Sequence, residues 1–95
     1  MFSTLGIIEV DKNFISSGNN ILLSSSNIII DKNAKFTFNK EIDLVSSNDV
    51  IVDKDGLFNA GNITMTAINL VEVLSDVEFN AMDSFSMDSK KFRMD

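Results

Sequence analysis

Apolar residues occur in this chain as close pairs, one residue apart, and almost nowhere at helical spacing. Ile28 and Ile30, Phe36 and Phe38, Ile42 and Leu44, Val50 and Val52, Ile63 and Met65, Val71 and Val73, Val77 and Phe79, Phe85 and Met87, and Phe92 and Met94 each set two apolar side chains at i and i+2. In an extended chain successive side chains point to opposite faces, so each pair marks one apolar face of a very short strand. Abundant Ile, Val and Thr, with 8 Phe among the 95 residues, agree with that assignment, because β-branched and aromatic side chains suit a pleated surface. The stretch from Ala67 to Leu74 is dense in Leu and Val but also alternates, and is read as strand.

Short polar breaks separate the pairs. They include Ser24-Ser25-Ser26-Asn27, Asp31-Lys32-Asn33, Asn39-Lys40-Glu41, Ser46-Ser47-Asn48-Asp49, Asp53-Lys54-Asp55-Gly56 and Asp88-Ser89-Lys90-Lys91. Asn, Asp and Ser tolerate turns because their side chains bond to nearby backbone and accept left-handed conformations. Taken from Ile8 to Phe92, the units of one strand and one corner recur about every 7 residues. Such a repeat describes an array in which each unit is buried only by stacking on its neighbours. The pattern is firm over 21–95, assigned to β-helix repeats, and less regular over 1–20, assigned to an N-terminal segment with docking or collar-proximal strands. A hairpin meander would show longer strands and repeated Asn-Gly or Asp-Gly turns, of which only Asp55-Gly56 occurs. The expected fold is therefore an all-β, elongated β-helix.

Two windings fit the repeat. In a single-chain right-handed β-helix three units close one coil, which makes about four coils and a particle about 20 Å long at one strand spacing per coil. In an intertwined homotrimer each chain supplies one side of a triangular prism at every level, and the length grows to about 60 Å. The trimer is the expected winding, because a four-coil monomer has a small core and two raw ends. Its interior is expected to hold Ile28, Ile30, Phe36, Phe38, Ile42, Leu44, Val50, Val52, Ile63, Met65, Val77, Phe79, Phe85, Met87, Phe92 and Met94. Ser and Asn between them face water or form ladders between levels.

Composition limits the chemistry. The chain has no His and no Cys, which removes the usual nucleophile and base pairs, thiol and imidazole metal sites, and every disulfide. A net charge of -6 disfavours nucleic acid and anionic membranes, which need clustered Lys and Arg. The first residues lack a secretory signal pattern, and no apolar run approaches a membrane span, so a soluble protein made in the cytoplasm is expected. Asn62-Ile63-Thr64, a glycosylation acceptor pattern, is read as a chance match.

Four groups are candidates for sites. Asp53-Lys54-Asp55-Gly56 has the opening carboxylate spacing of a calcium loop but not the remaining ligands, and reads as a polar corner with Gly56 supplying a positive φ. Glu72 and Glu78 fall one repeat apart, as acids of a carbohydrate-cleaving β-helix do, and read instead as solvated. Lys90, Lys91 and Arg93 form a basic cluster that suits a solvated end or docking face. Phe36, Phe38, Phe58, Phe79, Phe85 and Phe92, with Met65, Met82, Met87 and Met94, fill a core more simply than they bind lipid. No catalytic residue, cofactor or metal ligand is assigned, and no enzyme activity is expected.

Segments such as Asn62-Ile63-Thr64-Met65-Thr66-Ala67-Ile68-Asn69-Leu70 and the run from Asp76 to Met87 resemble the repeats of trimeric β-helical central spikes of contractile phage tails and of related secretion and pyocin spikes. The resemblance covers residues 20 to 95 and is one of texture; the chain lacks a collar domain and the His-x-His apex that holds iron in some spikes. It implies a rigid, homotrimeric virion component of a tail or baseplate, capped by other tail proteins and touching the host envelope only by mechanical penetration. Two alternatives stand beside it. One is a bactofilin-like single-chain β-helix that polymerises into a cytoskeletal filament; the other, weaker for lack of Trp and Tyr, is a carbohydrate-active β-helix enzyme.

Overall fold

The computed structural model describes residues 2–3 and 6–94, with side chains described from residue 6 onward; Met1, Thr4 and Leu5 of the expected N-terminal segment, and Asp95 beside the basic cluster, lie outside the described residues. The described chain is all β: β1 Phe2–Ser3, β2 Ile7–Val10, β3 Ile15–Ile30, β4 Lys35–Val52, β5 Leu57–Ala67, β6 Leu70–Val73, β7 Glu78–Asp88 and β8 Lys91–Met94. Every pairing is parallel and joins a residue to one a full coil later in the same chain. Ile7 pairs with Asn27, 20 residues on; Lys35 pairs with Leu57, 22 on; Leu70 pairs with Lys91, 21 on. The chain is a β-solenoid of about four turns.

This self-pairing corrects the interleaved winding expected from the sequence. In an interleaved prism the levels directly above and below a strand belong to other chains, and a chain's own segments on one face lie three levels apart. Here they are adjacent and hydrogen-bonded, so the coil is closed by one chain. The expected elongation is also corrected: the principal extents are 28 × 27 × 25 Å, because four strand spacings amount to about 20 Å, the same scale as the coil's own width.

Each turn has three faces. Face 1 stacks 15–18, 35–38, 57–60 and 78–81. Face 2 stacks β1, 20–25, 41–46, 62–67 and 84–88. Face 3 stacks β2, 27–30, 49–52, β6 and β8. Regular stacking thus begins well before residue 21.

The corners are unequal. Between faces 1 and 2 the chain bends without leaving the strand, through register shifts near Gly18, Thr37 and Ala60. Between faces 3 and 1 the strand breaks at 11–14, 31–34, 53–56 and 74–77. There Asn13, Asn33, Asp55 and Asp76 take φ of 62, 61, 64 and 62°. That left-handed conformation costs most L residues about 1–2 kcal/mol and is easiest for Asn and Asp. The positive φ expected at Gly56 falls on Asp55, the corner position that repeats in all four turns. Gly56 is buried instead, beneath Phe58, whose ring lies 3.3 Å from where a Cβ would stand.

The interior is a set of columns running along the axis. Ile28, Val50 and Val71 form one, Ile42 and Ile63 another, Leu44 and Met65 a third, all buried. Phe14, Phe36, Phe58 and Phe79 form an aromatic column with centroid steps of 5.8, 5.0 and 5.1 Å, the last two stacked. Phe36, Phe58 and Phe79 are in register, so their ring spacing is set by the sheet's own strand separation, whereas Phe14 leans in from the first corner at a tilt of 47°. Two serines enter the interior at the bend after face 2. Their hydroxyls donate to carbonyls of the preceding turn, Ser25 to Gly6 at 2.6 Å and Ser46 to Ser26 at 2.7 Å.

Candidate functional site: the two ends of the solenoid

The winding disperses the side-face candidates. At Asp53-Lys54-Asp55-Gly56, Asp53 Oδ1 accepts the Lys54 backbone N–H at 2.7 Å, as Asp31 does for Lys32. The motif is one step of a repeated corner, and among the described residues no three His, Cys, Asp or Glu side chains converge as a metal would require. Glu72 lies on face 3 and Glu78 on face 1, so the two carboxylates do not share a cleft. Lys90, Lys91 and Arg93 sit at the last turn, where Arg93 Nη1 lies 3.1 Å from Glu72 Oε2. The Phe and Met set is also divided: Phe36, Phe58 and Met65 are sealed in the interior, while Met82 is out in solvent.

Among the described residues, Asp43 is the side-face carboxylate with a buried oxygen left unsatisfied. It lies in the outer column of face 2 between Leu22 and Thr64. Its Oδ1 is buried without a hydrogen-bond partner. Loss of water around the carboxylate, with the nearby charge of Glu41, pushes its pKa up.

Elsewhere the outer surface is bound level to level by amide ladders. Asn39 donates to Asn19 at 3.0 Å, Asn48 to Asn27 at 3.1 Å, Asn69 to Asp49 at 2.9 Å and Asn80 to Asn59 at 2.7 Å. Ser84 donates to Asn62 at 2.6 Å. Each amide is both donor and acceptor, so it suits a column in which every level repeats the last.

What remains reactive in the physical sense is the pair of ends. At the N-terminal end the outer edges of β1, β2 and 15–18 have no strand partner among the described residues. Within that rim the interior opens as a cavity of about 250 Å³ lined by Ile8, Val10, Phe14, Ile21, Leu23 and Phe36, with Glu9 and Asp11 beside them. At the C-terminal end the outer edges of β7 and β8 are likewise without a partner among the described residues. Phe85, Phe92 and Met94, in register with buried Ile63, Val71 and Val73, are 45, 50 and 56 % exposed. Val77, Phe79 and Met87 are half-buried against the core. Each end therefore offers rows of free backbone donors and acceptors around an apolar centre, the ingredients of strand addition.

The corner repeat that sets these ends in line is hidden in the sequence by the shorter seven-residue unit. Val10-Asp11-Lys12-Asn13, Ile30-Asp31-Lys32-Asn33 and Val52-Asp53-Lys54-Asp55 recur after 20 and 22 residues, the coil length itself. Against protein-family models, curated proteins and solved structures alike, the chain finds no match.

Proposed function

We propose that the protein is a structural block, not an enzyme, and that it works by joining coaxially to further copies of itself into a filament. The observation that carries this reading is the pair of open ends: parallel strand edges surrounding apolar side chains whose columns stop in solvent. Long unprotected edges of this kind template pairing with another chain. Self-winding supports the bactofilin-like reading over the interleaved spike, since a coil closed by one chain grows only by adding coils. The acidic sides, at a net charge of -6 per chain, keep neighbouring rods apart and leave the ends as the sites of contact.

A place in the tail or baseplate of a virion stands as the second reading. It is supported by the resemblance of the repeats and by the stiff aromatic column, which suits a shaft under compression. There the ends dock other tail proteins, and three blocks associate side by side. Light-scattering mass across a concentration series, with electron microscopy of the same samples, separates the readings. The filament requires mass that climbs with concentration and rods about one solenoid wide. A fixed mass near three chains sends the assignment to the spike component, and a monomer at every concentration removes self-assembly altogether.

A further inference from the structure

Resting on that filament reading, we infer that the joint is head-to-tail, with β8 of one copy pairing along β2 of the next in continued register. The columns of face 3 define the match. Ile7, Asn27, Asp49, Leu70 and Lys91 form one column; Ile8 leads to Phe92, Glu9 to Arg93 and Val10 to Met94 in the others. One further coil sets Phe92 on Ile8 and Met94 on Val10, closing the exposed end of one copy with the cavity wall of the next. It also sets Arg93 between two carboxylates, Glu72 of its own chain, already 3.1 Å away, and Glu9 of the neighbour. The aliphatic stem of Lys91 covers Ile7, which is otherwise exposed.

Charge selects this joint over its competitors. Two N-terminal ends face to face bring Glu9 and Asp11 against their own copies, and two C-terminal ends bring Lys91 and Arg93 together. A head-to-tail joint turned by one face, with β2 over 84–88 and Ile8 and Val10 over Phe85 and Met87, sets Glu9 against Ser86 and Asp11 against Asp88. The aligned joint alone pairs opposite charges on face 3. Face 1 carries four segments where faces 2 and 3 carry five, so the aligned joint leaves one strand position open beside the cavity. The contact is heterologous, and such contacts propagate into polar filaments without closing.

The test uses two charge reversals, alone and mixed. Glu9→Arg alone sets arginine against arginine at every joint, and Arg93→Glu alone sets glutamate against glutamate. Each is expected to raise the critical concentration for assembly by about tenfold or more, because opposed like charges cost several kcal/mol at an interface. In an equimolar mixture every joint between unlike variants again faces an arginine with a glutamate, so filaments return in strict alternation. Circular dichroism melts of both variants establish that each remains folded. Position is read independently by disulfide capture, since facing residues on adjacent strands lie within reach of an S–S bond. Ile7→Cys with Lys91→Cys, in a chain otherwise free of cysteine, is expected to crosslink into ladders. Assembly unaffected by either reversal, mixtures that fail to recover, or capture instead by Ile7→Cys with Ser84→Cys would overturn the aligned joint while wild-type filaments left the filament reading standing. A wild type that never assembles overturns both.

Discussion

The middle turns and the last turn are built from the same kind of sequence and have opposite fates. Ile63 and Phe85 occupy consecutive levels of one column, as do Val71 and Phe92, and Val73 and Met94. The first of each pair is sealed from water and the second lies half in it. Side-chain type does not explain this, since the exposed members are the larger. What differs is that a middle residue has a level on both sides and a last-turn residue has one. Burial in a solenoid is thus a property of position in the stack, and an added level would change it without changing a single residue.

That comparison is broken most severely by charge in the middle. Ile63→Asp places a carboxylate in a dry column with nothing to pair it, and loss of the cooperative thermal transition is expected; Phe85→Asp, one level on, should leave the isolated block folded. Truncation gives a graded version. Phe58→Ala removes the centre of the aromatic column and is expected to cost about 3–5 kcal/mol in denaturant unfolding, whereas Phe92→Ala at the open end should cost about 1 kcal/mol or less for the monomer. An unfolding series in which both cost the same would contradict the idea that stack position decides burial.

Smaller effects sharpen the same contrast. Asn33→Ala forces alanine into the left-handed corner of an interior turn, with an expected loss of about 1 kcal/mol, while Asn33→Gly should be neutral or slightly stabilising. Asp43→Asn tests the desolvated carboxylate. A pKa raised in the folded state means that ionisation opposes folding: the favourable contribution is present below the unfolded value and is lost as pH rises through the folded one. The variant is therefore expected to melt higher than wild type at neutral pH and to lose that advantage at about pH 3, where both side chains are neutral. Glu78→Ala, on an exposed outer position, should fall within about 0.5 kcal/mol of wild type.

Several of these features are legible without coordinates. Ile28 with Ile30 and Val50 with Val52 alternate strictly, and alternation reports which side chains share a face. The polar breaks at Asp31-Lys32-Asn33 and Asp53-Lys54-Asp55-Gly56 announce corners, although the positive φ expected at Gly56 falls one residue earlier, on Asp55. The deciding fact is three-dimensional: Asp55 stacks at the same corner position as Asn13, Asn33 and Asp76, all left-handed, while the Gly56 position turns inward under the Phe58 ring. The coil length, too, is written in the recurrence of Val10-Asp11-Lys12-Asn13 at residues 30 and 52, but a seven-residue unit repeats three times within that period and masks it.

The amino-acid sequence by itself determined strand, face and corner, because each depends on neighbours one or two residues away. Which chain lies on the next level was decided only by tertiary structure. A strand that stacks on its own chain twenty-odd residues later and one that stacks on another molecule bury the same side chains and make the same backbone bonds. Local pattern is identical in the two cases, and the choice is made where Leu70 meets Lys91 and Lys35 meets Leu57.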